Sequence, residues 1–178
     1  MSRGEVIPER RTARMDGEFV VFLIGMRVNR WWKVGNWFRT ALAMPRMLRE
    51  LGEHPELGYL GGEGWFGRTT IMVQYWRSTE HLLAYARNKT NAHLPAWRKF
   101  NETVGNNGDV GVWHETYKSR AGDYENVYAN MPAFGLGAVG LSVKAEGHLA
   151  HAAKRLAAPA PAPASTETAA TEPASEVV

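Results

Sequence analysis

The chain has 178 residues, 44% of them hydrophobic and 11% aromatic, which is enough to bury the core of one domain. It contains no cysteine, which excludes disulfides, thiolate metal sites and a cysteine nucleophile. The net charge is +3, but no run of Lys and Arg typical of nucleic-acid binding occurs, so we expect no nucleic-acid partner.

The two termini carry little apolar sequence. Residues 1–16 are polar, lack the apolar region of a signal peptide and predict a flexible N-terminal arm. Residues 151–178 are rich in Ala, Pro, Ser, Thr and Glu and predict a disordered tail. The longest apolar run, 19–25, is too short to cross a bilayer, which takes about 20 residues. We therefore expect a cytoplasmic protein without a membrane partner.

The first predicted strand, residues 18–30, is apolar on both faces for most of its length. Its polar residues Arg27, Asn29 and Arg30 come only at its end. A strand with two apolar faces must be covered on both sides.

The next elements alternate between helix and strand. Residues 37–52 are helical in pattern, and Pro45 predicts a kink or a split into two short helices. The remaining predicted elements are two strands around a Gly-rich hairpin (58–76), a short helix capped by Ser78, a helix from Pro95 to Gly105, and a last strand (109–118).

The resulting order, β-α-β-β-α-β over residues 17–118, predicts a ferredoxin-like α+β domain. Such a sheet normally has helices on one face only, so the two-sided first strand needs a second cover. A second copy of the sheet, closing a dimeric α+β barrel, would supply it. The alternative cover is the C-terminal extension, residues 119–150, which packs on the domain or on a dimer partner.

His93 is the first candidate for chemistry. Pro95 pushes the residue before it toward extended geometry, which places His93 in the junction between two helices. It is either an axial ligand or acid–base group facing a pocket, or a turn histidine bonded to backbone or water.

His114 and Glu115 are adjacent on the last strand and must point to opposite faces. One of them should face a covered interior, where it would need a hydrogen-bond partner. Each is either a catalytic candidate or a satisfied core residue.

Polar and aromatic groups also meet where the first strand ends. The amide of Asn29 is suited to orient a small polar ligand or oxygen, beside Arg30 and two tryptophans that could equally pack the helix entrance. The segment 122–140, with Tyr124 and Tyr128, is too apolar for an idle linker and predicts a flap or a dimer arm. No nucleotide-binding, zinc-protease or serine-hydrolase motif occurs.

The stretch MVQYWRSTEHLLAYARNKTNAH (72–93) resembles the strand-to-helix passage of antibiotic-biosynthesis-type monooxygenases of the dimeric α+β barrel superfamily. With VGVWHETY and YENVYANMP, it is similar to a monooxygenase-like family within that superfamily, one that includes a fungal terpenoid-pathway oxygenase.

The resemblance implies a site. In heme-degrading members, an Asn at the end of strand one, an aromatic residue on the second helix and a His at that helix's end shape it; by position these resemble Asn29, Tyr85 and His93. Other relatives need neither metal nor flavin, because a deprotonated, electron-rich substrate reacts with oxygen directly. Aldoxime dehydratases, which are heme enzymes, share the fold.

The sequence and the resemblance together predict a homodimeric monooxygenase that acts on a small hydrophobic substrate with molecular oxygen. The predicted catalytic residues are His93, Asn29, His114 and Glu115, and the predicted pocket residues are Arg30, Trp76, Tyr85, Trp97, Tyr124 and Tyr128. One alternative is a heme-binding enzyme, heme-degrading or aldoxime-dehydratase-like, with His93 as the heme ligand. The other is a non-catalytic ligand-binding dimer. No other metal site is expected.

Overall fold

The computed structural model describes residues 4–88, 98, 101–102, 105 and 107–157. The strands are β1 (Ile7–Arg14), β2 (Phe19–Val28), β3 (Tyr59–Trp65), β4 (Ile71–Trp76), β5 (Val110–Ser119), β6 (Tyr128–Met131) and β7 (Leu141–Lys144). The α-helices are α1 (Val34–Ala41), α2 (Ala43–Glu53), α3 (Thr79–Arg87), α4 (Leu136–Val139) and α5 (Ala152–Leu156). Short 3-10 turns span Pro55–Leu57 and Gly147–Ala150.

The main sheet has four strands in the order β3-β4-β2-β5, and every neighbouring pair is antiparallel. The elements of residues 17–118 follow the predicted β-α-β-β-α-β order. The predicted 95–105 helix lies largely outside the described residues, which include only Arg98, Asn101, Glu102 and Gly105 of it. This strand order and chain order confirm the predicted ferredoxin-like α+β class.

Helices cover one face of the main sheet. Val20 and Trp76, which are opposite each other in the β2–β4 pair, pack with Leu51 of α2 and with Leu82 and Tyr85 of α3. The predicted interruption of the first helical region is present, but the break falls at Leu42. Pro45 lies in the first turn of α2, where its missing N–H leaves no helical bond unmade.

The N-terminal segment is not the flexible arm that its polar sequence predicted. Its residues Ile7–Arg14 form β1, the central strand of a second sheet with the order β6-β1-β7. Thr12 and Ala13 are buried there, and the Asn126 side chain accepts from the Ala13 N–H at 2.6 Å and donates to its carbonyl at 2.9 Å. Backbone pairing with strands from the far end of the chain, which local sequence does not report, fixes this segment.

The C-terminal extension packs on the second face of the main sheet. Phe19 is buried with Leu136 of α4, and its ring meets Tyr124 edge to face at a centroid distance of 5.1 Å.

The first residues of the predicted disordered tail also have regular structure. They form α5, where the buried Arg155 donates to Glu125 at 2.6 Å and to the Leu149 carbonyl at 2.8 Å. The rest of the predicted tail, residues 158–178, lies outside the described residues.

Gly25 marks a close backbone approach in β2. A Cβ at this position would lie 2.0 Å from the Thr70 carbonyl oxygen and 2.7 Å from the indole nitrogen of Trp113. Only glycine fits there without moving the backbone.

We expect Gly25→Ala to lower the free energy of unfolding by about 1–3 kcal/mol or more, because the added methyl group overlaps a carbonyl that cannot move aside. Denaturant unfolding would measure it. Gly52→Ala, a matched control in α2 with open space around it, should be neutral or stabilising by about 0.5–1 kcal/mol. Equal stability of Gly25→Ala and wild type would contradict this account.

Candidate active site

The pairing of β2 with β5 assigns each polar residue of β5 to a face. His114 is opposite Ile24 and shares the helix-facing side, whereas Glu115 is opposite Leu23 on the other side. The expectation that one of the two is buried is wrong, because both are exposed. Glu115 accepts a 2.5 Å hydrogen bond from Tyr117, and this bond raises the pKa of the Tyr117 hydroxyl. β5 is an edge strand, and its residues from His114 to Lys118 are all exposed.

The helix-facing side of β2 and β5 presents a mostly apolar surface with one imidazole, which we call the strip. Its members are Phe22, Ile24, Val112, His114 and Thr116. The His114 and Phe22 rings are 5.7 Å apart between centroids. A surface of this composition suits a hydrophobic ligand with one or two polar groups.

Trp76 and Tyr85 lie on the same face as the strip, but they are core residues. Trp76 is 1% exposed and Tyr85 is 4% exposed, and their ring centroids are 5.7 Å apart. The Tyr85 hydroxyl donates to Glu50 at 2.7 Å. Burial and, next, this hydrogen bond raise the pKa of Tyr85. The two rings form a fixed wall beside the strip.

Gln74 is a buried polar residue that the sequence reasoning missed. It is 4% exposed and pairs with Phe22 of the strip across the β2–β4 ladder. Its carbonyl oxygen accepts from the Trp76 indole at 3.0 Å, while its amide nitrogen contacts the thioether sulfurs of Met72 at 3.3 Å and Met44 at 3.9 Å. Sulfur is a weak acceptor, so this amide keeps hydrogen-bonding capacity next to the strip. The sequence signal that could have identified Gln74 is a glutamine two residues before a tryptophan in an otherwise apolar strand, which places both side chains on one face.

Tyr124 and Tyr128 lie on the opposite side of the main sheet, in the cluster around Phe19. The Tyr124 hydroxyl accepts from the Met15 N–H at 2.8 Å, and the Tyr128 hydroxyl accepts from the Gly137 N–H at 3.1 Å. The structure therefore does not bring them together with Trp76 and Tyr85. Both tyrosines anchor the C-terminal extension.

Asn29 and Arg30 belong to a polar junction organised by Asp109, a second residue that the sequence reasoning missed. The buried Asp109 carboxylate accepts from Arg30 at 2.9 Å and from Asn36 of α1 at 2.8 Å. Its carbonyl accepts from the Asn29 N–H at 3.0 Å. Arg30 is thus held in an ion pair.

The side chain of Asn29 is exposed and remote from His114. Its amide nitrogen lies 3.8 Å from the Cβ position of Gly111, which pairs with Arg27. Because side chains alternate along β5, that position faces away from the side that carries His114. The two predicted catalytic residues are therefore not brought together.

His93 and Trp97 lie outside the described residues. Two other histidines have local partners: His54 meets Glu56 at 2.9 Å, and His81 meets the Ser78 hydroxyl at 2.9 Å. In the described part of the chain, no group of three His, Asp or Glu residues could hold a metal ion.

The raised pKa of Tyr85 predicts a pH-dependent contribution to stability. The folded pKa lies above the unfolded value of about 10, so the contribution is complete below pH 10 and is lost as the pH rises toward the folded pKa. Tyr85→Phe should cost about 1 kcal/mol at neutral pH, and this deficit should shrink above about pH 10. Denaturant unfolding at a series of pH values would measure it; a deficit that does not change with pH would contradict it.

Comparisons with known proteins bear on the family and the fold. The model of the family described as Monooxygenase af470-like matches residues 19–136. Monooxygenase af470 of Aspergillus fumigatus is 28% identical over 135 residues, which cover 68% of this chain but only 46% of that protein.

Two solved structures share the fold. An aldoxime dehydratase in complex with butyraldoxime has a TM-score of 0.62 at 14% identity, covering 79% of this chain and 44% of that one. A second aldoxime dehydratase has a TM-score of 0.59 at 16% identity, covering 79% and 45%. The chain thus spans less than half the length of these relatives, and at such identities the structures show the fold alone. Because its model matches most of the chain, including the whole main sheet, the protein belongs to the Monooxygenase af470-like family.

Proposed function

We propose that this protein is a monooxygenase that inserts oxygen into a small hydrophobic substrate held on the strip. The family supports the reaction class. The observation that carries the location is His114, an exposed imidazole on an otherwise mostly apolar face of the sheet. Polar groups are few there, which suits a substrate that is bound mainly by apolar contact.

In the proposed reaction the substrate itself supplies the electrons that reduce O2. His114, as base, takes a proton from an activated CH2 group of the substrate, and the resulting carbanion passes an electron to O2. The two radicals combine to a peroxide anion at that carbon, which takes the proton back from His114. The resulting hydroperoxide loses water and leaves a carbonyl. One oxygen atom is in the product and the other is in water, so all four electrons come from the substrate.

The other polar groups near the strip have orienting roles in this proposal. Thr116 is two residues from His114 on the same face and can donate to a substrate oxygen. Gln74 is anchored by the Trp76 indole and has an amide nitrogen with weak sulfur partners. Asn29 remains a candidate for orienting oxygen or substrate. Its side chain lies on the face opposite His114, so one ligand could contact both only by extending around the end of the sheet. His93 remains a candidate base.

We also propose that the active form is a homodimer. The C-terminal extension covers the Phe19 end of the second face. Further along the same face, the Trp113 side chain is only partly buried and Glu115 is exposed. A second copy of the sheet would complete the cover over Trp113 and its neighbour Glu115. Sedimentation velocity would distinguish a dimer from a monomer.

Heme is the alternative implied by the superfamily, and among the described residues only the strip leaves room for it on the helix-facing side. The part of the helix-facing side on β4 is filled by Trp76, Tyr85, Met47 and Leu51, which pack as one buried cluster. On the strip, His114 is the one imidazole that the described residues offer. The expected ligand, His93, lies outside the described residues, and we derive no step through heme.

Removing the imidazole in His114→Ala should lower the rate of substrate-dependent oxygen uptake by about 100-fold or more, the usual worth of a positioned base. Electron-rich aromatic and terpenoid compounds are the substrates to screen. His54→Ala is the matched control, because it removes an exposed imidazole that lies outside the strip and pairs with Glu56, so it should leave the rate unchanged. Full activity of His114→Ala would move the site away from the strip. Tight binding of an apolar ligand with no oxygen uptake from any substrate would favour a non-catalytic dimer.

A visible absorption spectrum with added hemin tests the heme alternative directly. We expect no specific Soret band for wild type. A band that shifts or vanishes in His93→Ala would instead assign His93 as an axial ligand and replace the proposal with a heme enzyme.

A further inference from the structure

A cluster of exposed aromatic and aliphatic side chains lies at the end of the main sheet where β2 stops. Phe66 is 85% exposed, Trp31 72% and Trp32 59%. We call this set, with the outward residues Val34 and Phe38 of α1, the aromatic end. Isolated exposed hydrophobic residues are ordinary, but five large ones at one end of a sheet indicate a surface that binds something.

Hydrogen bonds hold the two halves of the aromatic end together. The β3–β4 turn that carries Phe66 is fixed to the end of β2, because the Val28 N–H donates to the Arg68 carbonyl at 2.8 Å and the Arg68 guanidinium donates back to the Val28 carbonyl at 3.2 Å. The segment with Trp31 is fixed to α1, because the Trp37 indole donates to the Trp31 carbonyl at 3.0 Å. The exposed rings therefore project from an ordered base.

Helix α1 also exposes apolar side chains to solvent. None of its eight residues is buried. Val34 and Phe38 are four positions apart, so they form an apolar stripe on one side, and both are about half exposed. Trp37 and Ala41 face the other way and pack against Met26 of β2. The stripe is not needed for packing within the described domain.

The exposed charges around the aromatic end are mainly positive. No Asp or Glu occurs between Glu18 and Glu50. The basic residues at the end of β2, in the segment after it and in α1 are Arg27, Arg30, Lys33 and Arg39. The buried carboxylate at this end, Asp109, is compensated by Arg30. A neighbour with negative charge would complement this surface.

From this combination we infer that the aromatic end docks the protein on an anionic lipid surface. Trp and Phe rings at the level of the head groups, with Lys and Arg beside them, are the composition of an interfacial membrane-binding site. A second copy of this chain is a poor occupant, because two such ends would bring many like charges together. The sequence predicts no membrane partner, on the ground that no segment can span a bilayer, but docking at the surface needs no such segment. Within the described ranges, no helix has the length and apolar character to cross one.

Co-sedimentation with lipid vesicles tests the inference independently of any enzymatic activity. Wild type should bind vesicles of phosphatidylcholine with phosphatidylserine, bind phosphatidylcholine alone more weakly, and lose affinity as salt is added. Replacing Trp31, Trp32 and Phe66 together by Ser should weaken binding at least about tenfold, because their apolar area no longer enters the lipid. Lys33→Gln should weaken it about fivefold.

Two substitutions at the opposite end of the molecule serve as controls. Lys118→Gln removes an exposed charge from the other end of β5, and Leu141→Ser removes an exposed apolar side chain next to Arg14. Both should bind vesicles like wild type, and circular dichroism should show every variant folded. Three results would overturn the inference: no vesicle binding by wild type, equal losses in the controls, or variants that change only the sedimentation coefficient, which would indicate a protein partner or a second copy.

Discussion

The strand β2 must be covered on both faces, and the rest of the structure follows from that constraint. It lies between β4 and β5 in the main sheet, and its side chains alternate between two apolar sets. Val20 is covered by α2 and α3, with Phe22 partly buried at the edge of that cluster, and Phe19 and Val21 are covered by the C-terminal extension. Leaving either set in water would forfeit about 1.5–3 kcal/mol for each large side chain. A ferredoxin-like sheet with helices on one face alone would not satisfy this strand.

The second cover explains why β1 and the C-terminal extension are ordered together. β1 from the N-terminus lies between β6 and β7 from the C-terminal extension, and Asn126 bonds to both backbone groups of Ala13. Neither terminal segment could form this sheet alone. The order of each depends on the other, and both depend on the apolar face that they cover.

The same constraint determines where chemistry can take place. The core around Trp76 and Tyr85 is closed, and the face around Phe19 is occupied by the extension, so the edge strand β5 is where polar side chains are accessible. His114 is exposed there beside Phe22. The proposed active site and the proposed lipid-binding end therefore use different parts of the molecule, one along the sheet and the other at its end.

The amino-acid sequence alone determined the class of fold. The alternation of strand and helix patterns, and a first strand with two apolar faces, are local properties that can be read from it. It also identified His114 and Glu115 as residues on opposite faces, because side-chain alternation needs no tertiary information. Only the tertiary structure decided that the N-terminal arm is a strand, that Tyr124 and Tyr128 lie apart from Trp76 and Tyr85, and that Asn29 faces away from His114. Those outcomes depend on which strands become neighbours and on the face that each side chain then shares, and these are long-range pairings that no local pattern encodes.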